Sequence, residues 1–400
     1  MTARRGGFAL GVTALVAAVA TGSRTLGVVG VGFLLAAGVS WFWAWIVDRP
    51  LSLELVVEPH TATEGDRVRV SVDVRRRARL PLGSGVARAI VGGLGDRSCS
   101  LRAQGLRLHG AIDLGSLPRG VFAVSETEIV LGDLLGLASV SPRVVCEPAT
   151  IVVRPRLTAL DGLFSDAGRA TGDARRMLLR RAAGFDFHSV REYEQGESLR
   201  RVHWPTSARR GQLMVRELED TTHDGVVVLL DCDPRWAVGE PPDSSFDAAV
   251  RVAGSIVQAH AVRGRLVTLV PTSGAQTAVP VRSTADLEGA IAALAGVQPD
   301  AIGAVSRYLR SDQRWAASGE LVVVTGTTDS AAFGEVVALA TRRLVSVVWI
   351  DAASFAGRPT RAEPGVLRLA AHGLPTAVVR HGDDLASVLS GRPRQAVAGG

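Results

Sequence analysis

The chain has 400 residues, with 45 basic against 39 acidic residues and a net charge of +6. All 45 basic residues are Arg, so the chain contains no Lys. This excludes a Walker-type phosphate loop and Schiff-base chemistry, because both need a Lys side chain. The three Cys residues are widely spaced and form no C-x-x-C pair, which argues against a disulfide framework or a zinc ribbon. At about 150 residues per domain, the length indicates two or three domains.

Two apolar runs near the amino terminus predict a two-helix transmembrane hairpin over residues 1–50. The first run covers residues 8–20, and the second covers residues 26–47 without one charged residue. A helix of the second length rises about 33 Å, enough to cross a hydrocarbon core of about 30 Å. Trp41, Trp43 and Trp45 stand near its end, where indole rings favour the membrane interface. A buried core helix is the alternative for the second run, and a cleaved signal peptide is the alternative for the first.

The distribution of Arg residues predicts the orientation of this hairpin. Arg4 and Arg5 precede the first run and Arg49 follows the second, whereas Arg24 stands between them. Basic residues favour the cytoplasmic side of a membrane. We therefore expect a two-pass protein of the cell membrane, in contact with the lipid bilayer, with its large carboxy-terminal body in the cytoplasm.

Residues 51–155 show an alternation of apolar and polar residues that is typical of β-strands. In the clearest run, Val68, Val70, Val72 and Val74 alternate with polar residues. Gly and Pro residues separate further short runs of the same kind. The pattern predicts a β-rich, sandwich-like domain over residues 51–155.

An arginine-rich segment, residues 156–220, follows this region. Between residues 175 and 216, ten Arg stand against four acidic residues, an excess of six that equals the net charge of the whole chain. Because acids and Arg are interleaved there, we expect carboxylate pairing within a rigid docking surface. Nucleic-acid binding, which needs unneutralised Arg and stacking aromatic rings, is an alternative, and a purely structural ion-pair network is another. We predict no nucleic-acid partner.

Residues 184–217 contain a run of closely spaced motifs, among them Arg-Glu-Tyr, Arg-Arg-x-x-Trp and Ser-Ala-Arg-Arg-Gly. The candidate interaction residues in these motifs are Arg191, Glu192, Tyr193, Gly196, Glu197, Arg200, Arg201, Trp204, Ser207, Arg209, Arg210, Gly211, Arg216 and Glu217. This run resembles the signature of the domain-of-unknown-function 58 (DUF58) family. Two amino-terminal membrane helices are usual in that family, and its members commonly occur beside MoxR-type AAA+ ATPases. The resemblance therefore implies such an ATPase as a partner. Pro205 and the Leu pair at residues 134–135 depart from the usual family pattern.

Residues 221–400 alternate strand-like and helix-like runs, which predicts an α/β, doubly wound parallel sheet of about five strands. The order resembles a von Willebrand factor A-type domain. Such domains often bind Mg²⁺ through an Asp-x-Ser-x-Ser loop after the first strand, helped by a Thr and an Asp from later loops. Here the corresponding loop reads Asp231-Cys232-Asp233-Pro234-Arg235. The resemblance makes Asp231 and Asp233 the candidate metal ligands, but Arg235 would repel a cation, so the expectation is no cofactor, with Mg²⁺ at this degenerate loop as the alternative.

The motifs of the common catalytic sites are missing from the sequence, which has no H-E-x-x-H, G-x-S-x-G or Walker A run. We therefore expect no catalytic residues. The prediction is a membrane-tethered, non-enzymatic interaction or adaptor protein that works with a MoxR-type ATPase in assembly or chaperone-like roles. A metal-dependent hydrolase acting at the Asp231 loop and a nucleic-acid-binding protein are the alternatives.

Overall fold

The computed structural model describes residues 2–75, 84–104, 107–133, 138–166, 189–192, 204–217, 225–274, 278–311 and 319–390. The chain divides into two compact units, Met1–Arg156 and Leu157–Gly400. The candidate residues Tyr193, Gly196, Glu197, Arg200 and Arg201 lie outside the described residues.

Two helices, α1 (Thr2–Thr21) and α2 (Arg24–Val47), open the first unit. Small residues allow them to pack closely along their length. A Cβ atom placed on Gly30 would lie 3.0 Å from the Leu15 amide nitrogen, and one placed on Gly27 would lie 3.8 Å from the Ala18 Cβ. Because later residues of α2 face earlier residues of α1, the two helices form an antiparallel hairpin.

Helix α2 is the one helix in the described part of the chain that is both long and apolar enough to cross a membrane. The apolar portion of α1, Gly6–Thr21, is shorter. Where sequence reasoning predicts two spanning helices, the structure therefore offers one candidate span, and a signal sequence would share its length and composition.

The described strands of the first unit are β1 (Leu51–Glu58), β2 (Ala62–Thr63), β3 (Arg67–Arg75), β4 (Gly85–Val91), β5 (Gly95–Gln104), β6 (Arg107–Ser116), β7 (Gly120–Gly132), β8 (Ser139–Val140), β9 (Val144–Cys146) and β10 (Ala149–Arg154). They pair in the order β2-β10-β7-β4-β5-β6-β3-β1-β9, with β8 beside β7. Strand β5 belongs to two layers, because its first part pairs with β4 and its last three residues pair with β6. Side chains from both layers, such as Val72 and Leu108 from one and Ala87 and Ile129 from the other, share one apolar core.

The carboxy-terminal end of α2 belongs to this core. Val47 is fully buried in it, and β1 begins only four residues later with the buried Leu51. About two helical turns before Val47, the Ser40 hydroxyl donates a hydrogen bond to Asp133 Oδ2. Asp133 Oδ1 in turn accepts from the Ala138 amide at 3.2 Å. The helix end is thus fixed to the strands by apolar packing and by a buried polar contact.

The described elements of the second unit are β11 (Ser189–Glu192), α3 (Trp204–Arg210), β12 (Met214–Glu217), β13 (Val226–Leu230), α4 (Ser245–Val262), β14 (Val267–Pro271), β15 (Val279–Val281), α5 (Thr284–Gly296), α6 (Ala304–Arg310), β16 (Glu320–Thr325), α7 (Ser330–Ala340), β17 (Leu344–Ile350), α8 (Ala352–Phe355), α9 (Pro364–Ala371), β18 (Thr376–Val379) and α10 (Leu385–Leu389). A short 3-10 helix, Pro234–Trp236, follows β13. Strands β11 and β12 form a separate antiparallel pair.

The main sheet of this unit has the order β15-β14-β13-β16-β17-β18, and only the edge strand β15 runs antiparallel. Its central strand β13 is buried on both faces. Val228 and Leu230 pack in the core that includes α4 and α5, whereas Val227 and Leu229 pack in the core that includes α6, α7 and α9. Helices therefore cover both faces of a mostly parallel sheet, the layering that continuous apolar strands favour.

Candidate functional site

Polar side chains collect at the carboxyl ends of β13 and β16, which are neighbours in the parallel sheet. Asp231 directly follows β13, and its amide extends the ladder by donating to Val324 O at 2.9 Å. Thr325 is the last residue of β16. Because parallel strands end at the same edge of a sheet, these residues meet although 94 positions separate them in the chain.

The Asp231 carboxylate is fully buried and hydrogen-bonded on both oxygens. Oδ2 accepts from the Thr325 hydroxyl at 2.6 Å and from Trp236 Nε1 at 3.0 Å, and Oδ1 accepts from the Asp233 amide at 3.2 Å. Burial raises the pKa of Asp231 to about 6, and the bond from Thr325 only partly opposes this rise. The carboxyl group therefore takes up a proton at a much higher pH than an exposed Asp would.

Asp233 has the opposite tendency. Burial disfavours its charged form, but hydrogen bonds from Arg235 and Gly303 outweigh burial and lower its pKa. The guanidinium of Arg235 donates through Nε at 2.9 Å to Oδ2 and also through Nη2, while the Gly303 amide donates to Oδ2 at 2.7 Å. The same contact raises the pKa of Arg235. Asp233 and Arg235 thus form a charged pair in which the carboxylate holds the guanidinium in place.

These residues do not fit a divalent cation. Mg²⁺ requires about six oxygen ligands in near-octahedral geometry, whereas the oxygens of Asp231 and Asp233 already accept hydrogen bonds from protein groups. Arg235 adds a positive charge directly beside them. Asp329 caps α7 by accepting from the Ala331 amide at 2.9 Å. Across the described ranges, no group of three or more His, Cys, Asp or Glu side chains is arranged to hold a metal.

A cleft of about 450 Å³ opens beside this network, and we call it the carboxyl-edge cleft. Its lining residues are Asp233, Arg235, Trp236, Val238, Gly326, Thr327, Thr328, Asp329, Ala352, Ala353, Ala356 and Arg358. Arg235 and Arg358 are both exposed at the cleft, and Trp236 is buried. The cleft therefore combines two cationic side chains, Arg235 and Arg358, and two acidic ones, Asp233 and Asp329, with an apolar floor. Sequence reasoning did not single out Trp236 or Arg358 as parts of this site.

The signature residues that the structure describes lie mainly on β11, α3 and β12. Strands β11 and β12 pair Val190 with Arg216 and Arg191 with Val215, so Arg191 and Arg216 are placed at adjacent rungs of one antiparallel ladder. Glu192 ends β11 and Glu217 ends β12. The structure thus brings together the first and last parts of a signature that spans about thirty residues of sequence.

Helix α3 and its turn separate the remaining signature residues into two kinds. Ser207 is buried, and its hydroxyl accepts a hydrogen bond from the Met214 amide at 2.8 Å. Gly211 has φ +69, a conformation that favours glycine, and its amide donates to Ser207 O at 2.9 Å. Trp204 is 63% exposed, and Arg209 and Arg210 are exposed as well. Ser207 and Gly211 therefore shape the turn, whereas the other three side chains face outward.

Comparison with known families places this region in context. Residues 189–351 match the family described as "Protein of unknown function DUF58". The DUF58 match begins at β11 and ends at Asp351, one residue after β17, so it includes the described signature residues and the Asp231 network. The chain is also 24% identical over 277 residues to the uncharacterized protein YeaD of Bacillus subtilis (strain 168), which covers 66% of this chain and 67% of that protein.

Similarity to solved structures is slight. BslA, a bacterial hydrophobin, is 14% identical and covers 26% of this chain and 99% of that chain, with a TM-score of 0.17. A non-cellulosomal cohesin from Archaeoglobus fulgidus is 14% identical and covers 26% of this chain and 91% of that chain, with a TM-score of 0.15. At such TM-scores these similarities carry no argument about fold or function.

Proposed function

We propose that this chain is a membrane-tethered, non-enzymatic adaptor that works with a MoxR-type AAA+ ATPase in assembly or chaperone-like roles. The observation that carries the proposal is that three signature residues within the DUF58 match, Trp204, Arg209 and Arg210 of helix α3, are all exposed, and we call these three side chains together the signature face. The association of the DUF58 family with MoxR-type ATPases supports the choice of partner. The parallel order of the second sheet supports a von Willebrand factor A-like domain as the body that presents this face.

The signature face has the composition of a protein-binding surface. Trp and Arg are enriched among the residues that dominate binding energy, because each combines a large contact area with directed polar groups. When a partner covers the exposed Trp204, apolar surface is removed from water, and this favours binding. Arg209 and Arg210 lie in the last turn of α3, and the buried Ser207 fixes the turn that follows. Exposed Arg and Trp side chains of this kind suit a partner that offers carboxylates and apolar surface.

The exposed apolar surface of α2 supports the membrane tether. Val28, Leu35 and Val39 are each more than 60% exposed along one long helix, and Trp45 is similarly exposed near its end. Exposing so many large apolar side chains to water is unfavourable, whereas lipid would cover them. The two-pass arrangement with a cytoplasmic body is part of the proposal, and it rests on the α1–α2 hairpin and on the Arg distribution in the sequence.

The alternatives are less well supported. A metal-dependent hydrolase at the Asp231 loop would need free carboxylate oxygens, and those of Asp231 and Asp233 are engaged by protein donors. A nucleic-acid-binding surface would need a broad unneutralised basic stripe, whereas acidic residues interrupt the arginine-rich segment.

The test is recovery of the ATPase with the full chain. The tagged chain is extracted from its native membranes in non-ionic detergent, and co-purifying proteins are identified by mass spectrometry. We expect Trp204→Ala and the double change Arg209→Ala/Arg210→Ala each to reduce recovery of a MoxR-type ATPase about tenfold, since a loss of about 1.4 kcal/mol in binding has that effect. The matched control is Arg368→Ala, which removes an exposed Arg from helix α9.

Two results would contradict the proposal. One is equal recovery of the ATPase with the signature-face variants and with the control. The other is the absence of any such ATPase from all preparations while the chain itself is extracted in folded form, as judged by its resistance to limited proteolysis.

A further inference from the structure

We infer that the carboxyl-edge cleft is a metal-independent binding site for an acidic peptide segment, in which the guanidinium of Arg235 receives a carboxylate. This goes beyond the proposed function, because the cleft and the signature face share no residue. The inference holds whether or not an ATPase is the partner.

One edge of the Arg235 guanidinium is available to a ligand. A guanidinium has five N–H donors in a planar fork. Within the described residues, its side-chain hydrogen bonds all go to Asp233, through Nε and Nη2. Both Nη1 donors and the second Nη2 donor are left over. One Nη1 donor and this Nη2 donor form the end-on pair that matches the two oxygens of a carboxylate. The side chain is 58% exposed, so this edge is open to a ligand.

The Arg235 guanidinium is held in place by Asp233 before any ligand binds. Asp233 is almost fully buried and is itself fixed by the Gly303 amide at 2.7 Å. The backbone amide of Arg235 also donates to Asp233 Oδ1 at 2.9 Å. A side chain that is already held in its binding conformation loses less entropy when it binds, which favours affinity. The buried Asp233 thus fixes the position of the exposed Arg235 guanidinium.

A second cation and a hydroxyl group lie at the same cleft. Arg358 is exposed, and its backbone is fixed because its amide donates to Ala353 O at 2.9 Å. The Thr328 side chain is also exposed at the cleft. The remaining carboxylate, Asp329, is directed to the amino end of α7, where it accepts from the Ala331 amide. Because Asp233 and Asp329 carry negative charge at the same cleft, the match to an anionic ligand rests on the exposed Arg side chains as hydrogen-bond donors and not on a net positive charge.

The floor of the cleft favours a peptide over a small inorganic anion. Trp236, Val238 and three Ala residues, at positions 352, 353 and 356, supply apolar surface. A volume of about 450 Å³ falls in the range of ligand pockets, about 300–1,000 Å³. A free phosphate would use only the cations, whereas the apolar side chains flanking a Glu or Asp in a peptide would also cover this floor.

The experiment measures direct binding of a defined probe to the full chain in detergent. The probe is a fluorescein-labelled peptide Leu-Glu-Glu-Leu, its matched control is Leu-Gln-Gln-Leu, and binding is followed by fluorescence anisotropy. We expect the Glu peptide to bind about tenfold tighter than the Gln peptide, with no change when excess EDTA is added. Arg235→Ala and Arg358→Ala should each weaken binding of the Glu peptide about tenfold. Arg342→Ala, at the amino end of β17 and so at the opposite edge of the sheet, should leave it unchanged.

One further variant, Arg235→Lys, separates the charge of Arg235 from its shape. Arg235→Lys retains the charge but lacks the planar fork, so it should also weaken binding. Because Arg358 is exposed, we expect Arg358→Ala to change stability little. Equal binding of the two peptides, binding that EDTA abolishes and Mg²⁺ restores, or wild-type binding by the Arg358→Ala variant would each overturn the inference. Inorganic phosphate that displaces the peptide at equal concentration would show a general oxyanion site and would overturn it too. None of these results depends on recovery of an ATPase.

Discussion

Replacing Asp231 by Asn is expected to change how the stability of the α/β unit depends on pH. Burial raises the pKa of this carboxyl group from its ordinary value of 3.8 to about 6. Between these two values the folded chain binds a proton that the unfolded chain does not bind. The free energy of unfolding therefore falls as the pH rises from about 4 to about 6. At 1.36 kcal/mol per pKa unit, the shift corresponds to about 3 kcal/mol.

The Asn variant cannot ionise, so it lacks this loss of stability. It has a cost of its own, because an amide NH₂ group replaces one of the two oxygens that accept from Thr325, Trp236 and the Asp233 amide. That cost is the same at every pH in this range. The expected result is therefore a variant that is less stable than the wild type at pH 4 and that improves relative to it by about 3 kcal/mol by pH 7.

The assay is urea unfolding of the detergent-solubilised chain, followed by labelling of Cys232. This thiol lies next to Asp231 and is fully buried, and burial raises its pKa to about 12, so the folded chain should resist labelling. Replacing the two partly exposed cysteines, Cys99 and Cys146, by Ser leaves Cys232 as the single thiol. A disulfide reagent that reacts at acid pH allows the same readout at each pH.

The control for this prediction is Asp286→Asn. Asp286 is half-buried near the start of α5, and hydrogen bonds from the Arg282 and Ser283 amides and from the Ser283 hydroxyl lower its pKa. Its contribution to stability is therefore present at neutral pH and is lost as the pH falls, the opposite direction to that of Asp231. If Asp231→Asn and the wild type show the same change in unfolding free energy between pH 4 and pH 7, the buried, proton-binding role of Asp231 is refuted.

The packing of two glycine positions and of the helical hairpin leads to further predictions. Gly326→Ala should lower the unfolding free energy by about 1–3 kcal/mol, because a Cβ there would lie 2.5 Å from the neighbouring indole ring. Gly334→Ala, on α7 with open space around the new methyl group, should raise it by about 0.5–1 kcal/mol, and the same urea assay measures both. The pair Ala18→Cys/Gly27→Cys should form a disulfide upon oxidation, seen as a gel-mobility shift, since the two Cβ positions are 3.8 Å apart. Ala18→Cys/Gly38→Cys should not, and the reverse outcome would refute the antiparallel pairing of α1 and α2.

Much of the architecture follows from periodicity alone. The alternation at residues 68–74 predicts a strand with one buried face, and β3 covers that run because one face meets the core shared by both layers. The continuous apolar run of β13 predicts a strand that is covered on both sides, which the structure shows. Strands β5 and β6 show how a Gly can mark a strand end, because Gly105 stands in the sequence between the last residue of β5, Gln104, and the first residue of β6, Arg107.

The site is only partly visible in the sequence because its partners come from distant elements. Asp231 and Asp233 stand out because they follow a buried strand. Gly303 bonds to Asp233 from 70 positions away, and no local pattern marks it as a partner. Thr325 bonds to Asp231 from 94 positions away, and only the resemblance to a von Willebrand factor A-type domain points to a Thr from a later loop. The pairing of Asp233 with Arg235 is local, two residues apart, and the sequence does contain that signal. Burial decides the pKa of Asp231, and burial depends on the complete tertiary structure.

The junction between α2 and β1 has a mechanical consequence. Only three residues separate the last residue of the helix, Val47, from the first residue of the strand, Leu51, and both ends are locked in the same core. A flexible linker would let the strands reorient independently of the helix, whereas this short junction couples the orientation of the strands to that of the helix. We therefore expect a tilt or rotation of α2 to move the β-layers with it.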